Sequence, residues 1–169
     1  MREIPKKNYI IFAIVIVLSL GVVAYCVNWY RMSQTLEESK VMNGVVSEIK
    51  SDELSSYLLD NPNVIVYIAP SNGTINLDFE NALHDFIIKE ELTDEFIYLD
   101  SSMITNSQVY RDYEDQYLSD TLKKQSIDLS VTPNLWYFHD GQILDVMNTV
   151  SRVSSIQDAK YFLGKNGVY

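Results

Sequence analysis

The sequence predicts an α/β fold, a mixed sheet flanked by helices, preceded by a single N-terminal transmembrane helix. Short β-branched apolar runs alternate with stretches whose apolar residues recur at helical spacing. An Asp140-Gly141 pair joins the last two strand-like runs as a hairpin turn. Residues 9–27 carry no charge.

The elements follow in chain order. Residues 9–27 read YIIFAIVIVLSLGVVAYCV, 19 residues, followed by NWYR. About 20 apolar residues span a bilayer core, and a Trp-Tyr pair suits an interface. Arg2, Lys6 and Lys7 precede the run, and only Arg31 follows closely. The positive-inside rule then places residues 1–8 in the cytoplasm, 9–29 in the membrane as an anchor, and the rest outside the cell membrane. The run is longer than the roughly 7–15 residues of a signal-peptide core, and AYCVNW lacks a small-residue cleavage site, so it reads as an uncleaved signal-anchor. Cys26, the only cysteine, lies within it and reads as a small apolar residue. Tyr25 in front of it argues against a lipoprotein signal. One cysteine closes no internal disulfide, so the outer domain must fold on its core alone, as suits an exported protein of a Gram-positive bacterium.

Residues 30–44 are polar and read as a stalk that ends at Asn43-Gly44; residues 45–169 form the domain. Residues 45–49 are a short strand. A helix follows with Ser51 or Asp52 as N-cap, Leu54, Leu58 and Leu59 on one face, and Asn61-Pro62 as its stop. VIVYIA (64–69) is apolar almost throughout, as in a strand covered on both faces. Leu77, Leu83, Phe86, Ile87 and Leu92 make a helical stripe with acids opposite. EFIYLD (95–100) is a second buried-type strand. Residues 101–125 are polar and tyrosine-rich with helical spacing, Tyr110, Tyr113 and Tyr117 covering the core. The hairpin spans 135–147. The last helix points Ile156, Ala159, Phe162 and Leu163 inward and ends at Gly164.

Composition narrows function. A chain of 169 residues, 47% hydrophobic, holds one modest core. Its net charge is −10. Four of the 13 basic residues and one of the 23 acidic ones fall in residues 1–31, which leaves nine against 22, a balance of −13, over residues 32–169. Such a surface repels phosphate backbones, which excludes nucleic acid as a partner.

Two segments, VTPNLWYFHDGQI (131–143) and NPNVIVYIAPSNGTINLDFENAL (61–83), together with the order β-α-β-α-β-(α)-β-β-α, resemble the thioredoxin-like superfamily over roughly residues 45–167. The resemblance implies a cis-proline at Pro133 and an active-site loop after the second strand. It puts the family's Cys-x-x-Cys at Gly73-Thr74-Ile75-Asn76, so both cysteine positions, Gly73 and Asn76, are degenerate, and its buried acid at Tyr67. Thiol–disulfide exchange needs a thiolate, and the loop has none. No catalytic residue carries over. Pro70, Asn72 and Gly73 remain turn-formers, and the amides after them open a helix. In the resembled family substrates lie extended beside the cis-proline and bond to the residue before it, here Thr132. The implied groove is Pro70, Ser71, Asn72, Gly73, Thr74, Asn76, Thr132 and Pro133.

Other chemistry is thin. His84 and His139 read as surface residues, no Cys/His pair has ligand spacing, and no cofactor or metal is expected. The acidic stretches 89–95 and 111–120 lack the D-x-D-x-D-G pattern of a calcium loop. No G-x-S-x-G occurs. Asn72-Gly73-Thr74 is a formal glycosylation sequon. The expectation is a membrane-anchored, redox-inactive, non-enzymatic thioredoxin-like protein. It would bind a peptide or protein partner, membrane proteins included, outside the membrane in an export, envelope or bacteriocin-type process. The alternatives are an enzyme with non-thiol chemistry in residues 101–125, or a thiol–disulfide pathway helper acting through a partner.

Overall fold

The computed structural model describes residues 6–38, 41–42, 44–71, 77–147 and 155–169. The chain divides into two compact units, Met1–Glu38 and Ser39–Tyr169.

The first unit is one helix, α1 (Lys6–Glu38). Its described side chains from Phe12 to Tyr30 are exposed, Trp29 at 65% and Val17 at 67%. Here the anchor expected over residues 9–29 is overturned: among the described residues no helix is long and apolar enough to cross a membrane. The signal-anchor, the single-pass cell-membrane placement, the cytoplasmic residues 1–8 and the extracytoplasmic domain were all deduced from that anchor and fall with it.

The second unit is α/β, a five-stranded mixed sheet with helices on both faces. Its elements are β1 (Ser47–Ile49), α2 (Leu54–Asp60), β2 (Val64–Ala69), α3 (Leu77–Lys89), β3 (Phe96–Asp100), α4 (Gln108–Tyr117), α5 (Asp120–Lys124), β4 (Asn134–His139), β5 (Gln142–Val146) and α6 (Ile156–Lys165). The strand order is β1-β3-β2-β4-β5. β3 lies parallel to both β1 and β2, with Ala69 opposite Asp100, whereas β4 runs antiparallel to β2, with Ile68 opposite Asn134.

Strand alternation sorts the core into two layers. Val64, Val66, Ile68, Ile97, Leu99, Trp136 and Phe138 pack with α2, α4 and α5, where Tyr110, Tyr113 and Tyr117 are buried. Ile65, Tyr67, Ala69, Phe96, Tyr98 and Leu135 pack with α3 and α6. Central strands covered on both faces must be apolar at every position, and all six residues of β2 are buried.

Several boundaries differ from the sequence expectation. α2 begins at Leu54 with Glu53 as an N-cap that makes no side-chain cap bond, not at Ser51 or Asp52. Leu54 and Leu58 are buried, but Leu59 is 85% exposed. At 3.6 residues per turn Leu59 stands about 140° from Leu54, off the buried face. Gly164 lies inside α6. The left-handed residue that ends the helix is Gly167 (φ +69°), whose N–H bonds to the Gly164 carbonyl while Val168 N–H reaches Leu163, a Schellman closure. Asp140 (φ +51°) and Gly141 (φ +74°) form the hairpin turn, as a two-residue type I′ loop requires.

Candidate functional site

The site is built from the carboxyl ends of the central strands. α2, between β1 and β2, packs on one face of the sheet, as does α4 after β3; α3, between β2 and β3, packs on the other. The chain therefore leaves the neighbouring ends of β2 and β3 toward opposite faces. In open α/β sheets a crevice forms at such a switch and is where ligands bind.

Asp100, the last residue of β3, organises this end. Its Oδ1 accepts hydrogen bonds from Ser71 N–H (3.0 Å), Ser102 N–H (2.9 Å) and Ser102 Oγ (2.6 Å). Ser71 Oγ and Ser102 Oγ are 3.1 Å apart. The carboxylate thus ties the residue after Pro70 to the 3-10 turn Ser101–Met103. Burial raises the Asp100 carboxyl, but the bonds from Ser102 and Ser71 outweigh it and hold it below the usual carboxylate range. Asp100 is therefore charged at neutral pH although it is buried.

Beneath the cluster lie two buried tyrosines. Tyr98 Oη donates to the Ala69 carbonyl (2.9 Å), and Tyr67 Oη donates to Glu80 Oε1 (2.7 Å) in the first turn of α3. Burial, then the Glu80 charge, pushes the Tyr67 hydroxyl far up. Burial also raises the Glu80 carboxyl, against the lowering bond from Tyr67. Both phenols stay protonated donors and act as braces.

On the other side of Ala69, the Thr132–Pro133 peptide bond is cis. Because Ile68 pairs with Asn134 in an antiparallel register, Pro70 and Thr132 flank the same end of the sheet. Thr132 is half-buried and Pro133 buried. Asn134 is fully buried, its Nδ2 donating to the Val131 carbonyl (3.3 Å).

The topology thus brings Pro70, Ser71, Thr132 and Pro133 to one place. Asn72, Gly73, Thr74 and Asn76, including both degenerate cysteine positions, lie outside the described residues. Asp100 and Ser102 were missed from sequence. The available signal was an acid ending a strand and followed by two serines, the composition of a capped turn.

The arrangement offers donors and acceptors at an open sheet end. Among the described residues neither histidine is bonded to a serine: His84 Nδ1 is 3.1 Å from Asp85, and His139 Nε2 is 3.8 Å from Asp140. No group of three or more His, Cys, Asp or Glu could hold a metal ion among the described residues. The tyrosines of the 101–125 stretch are turned into the core, Tyr113 Oη donating to the Ser51 carbonyl (2.6 Å). No family model matches the chain, and no curated protein matches it.

Proposed function

We propose that residues 39–169 form a thioredoxin-like domain without thiol chemistry, which docks an extended peptide or protein segment at the carboxyl ends of β2 and β3. The observation that carries this reading is the opposed exit of the chain from those two strands, the place where open α/β sheets bind ligands, with Asp100 holding Ser71 at that end. The element order with its terminal antiparallel hairpin supports the resemblance. Pro70 and Thr132 form the flank where an extended segment can add main-chain bonds. Asp100 fixes the crevice in advance, which lowers the ordering cost of binding.

Redox turnover is absent from this reading. Cys26 is the only cysteine and belongs to α1, and a lone thiol cannot cycle through an internal disulfide. The full-length protein is expected to leave a dithiol peptide unoxidised.

The test is panning of the full-length protein against a displayed library of short extended peptides. The recovered peptide is then titrated against wild type and Thr132→Arg. The variant should weaken binding by about tenfold or more, with a change in stability of only about 0.5 kcal/mol. Equal affinity for both proteins would move the docking surface elsewhere and contradict the proposal.

A further inference from the structure

We infer that the docked segment presents a basic side chain, lysine or arginine, to a cleft beside Asp100; this inference rests on the docking reading above. The cleft has a volume of about 470 Å³ and lies at the carboxyl ends of β1 and β3. It adjoins the crevice, because Asp100 lines the cleft and also holds Ser71 and Ser102.

Its lining has two chemistries. Ile49 is buried and Met103 is 75% exposed, so a large thioether lies open to solvent in the turn that Asp100 caps. Among the described residues, Glu48, Asp52 and Asp100 stand around this apolar part together with one cation, Lys50. Lys50 Nζ is itself 4.0 Å from Glu53 Oε1. The charges lining the cleft are therefore acidic on balance.

One class of side chain complements both parts. The methylene stem of lysine or arginine covers Met103 and Ile49, while its charged head stays at the acidic rim in contact with water. A glutamate would meet repulsion from the same carboxylates, and an aliphatic side chain would lack the attraction. The balance of −13 over residues 32–169 draws basic segments from a distance as well.

The test uses full-length protein and three pools of blocked peptides. The pools have equal length, are randomised over Ala, Ser, Thr and Val, and carry one fixed central Lys, norleucine or Glu. The Lys pool should bind about fivefold or more tightly than the Glu pool, with the gap narrowing at high salt. Glu48→Gln with Asp52→Asn should reduce that preference to below about twofold and leave norleucine binding unchanged. Met103→Ser should weaken the Lys and norleucine pools alike. Equal binding of Lys and Glu pools, a preference that survives the double substitution, or indifference to Met103→Ser would overturn the cleft. In any of those cases, loss of all binding in Thr132→Arg would leave the docking reading standing. Failure of every pool to bind wild type would remove both.

Discussion

The bodies of β2 and β3 and their carboxyl ends follow opposite rules. Along their bodies the strands bury apolar and aromatic side chains on both faces, and the neighbouring β4 adds Trp136, whose indole N–H has no hydrogen-bond partner among the described residues. A few residues further on, one carboxylate oxygen of Asp100 takes three donors. The contrast teaches where each kind of interaction acts. Packing supplies the stability of the sheet and tolerates one unmet donor, whereas at the strand end a buried carboxylate needs satisfied hydrogen bonds to stay charged and hold a defined shape.

The contrast can be broken from the packed side with the largest effect. Trp136 is fully buried and lies edge-on to Tyr113, ring centroids 6.1 Å apart. Trp136→Ala should lower the unfolding free energy by about 3–5 kcal/mol, read from urea denaturation. Trp136→Phe should cost about 1 kcal/mol or less, because it removes the unmet donor while keeping a ring in place. A Phe variant as damaged as the Ala variant would mean that the indole nitrogen has a partner in solution.

The strand end should respond less, and with a pH signature. Asp100→Asn keeps the shape but removes the charge that accepts three bonds, a loss of about 1–2 kcal/mol at pH 7. Because the folded carboxyl is held low, the wild-type advantage should be complete above about pH 4 and fade as the pH falls through the lower folded value. Thermal midpoints of both proteins across that range would check it; a gap that persists into strong acid would contradict the role given to the charge.

Glu80 should give the smallest change and the opposite sign. Burial raises its carboxyl in the folded state, so its charged form carries a cost above the folded value that is absent below the unfolded value of about 4.3. Glu80→Gln, which still accepts from Tyr67, should therefore stabilise the protein by about 0.5 kcal/mol at pH 7. The gain should vanish as the pH falls toward 4. A loss of stability at pH 7 would show that the Tyr67–Glu80 bond outweighs the burial cost.

The same contrast explains what was legible in the sequence. VIVYIA and EFIYLD announce buried strands because burial on both faces leaves no room for polar residues. Asp140-Gly141 announces its turn because few pairs tolerate two positive φ angles. Leu59 misled because a seven-residue helix shows too few turns to fix its phase. The polar cluster was illegible for a different reason. Ser71 and Asp100 are 29 positions apart and meet only once β2 and β3 pair, so no local pattern couples them. Pro70 and Thr132 could be placed together only through the resemblance, not through spacing.

The central claim is that ligands dock at the end of β2 and β3. Its most direct test is amide chemical-shift mapping of the 15N-labelled full-length protein on titration with the panned peptide. The docking reading predicts the largest shifts at Ser71, Asp100, Ser101, Ser102 and Thr132, with Thr132→Arg abolishing them. Shifts confined to α6, or to α4 and residues 126–130, would contradict it.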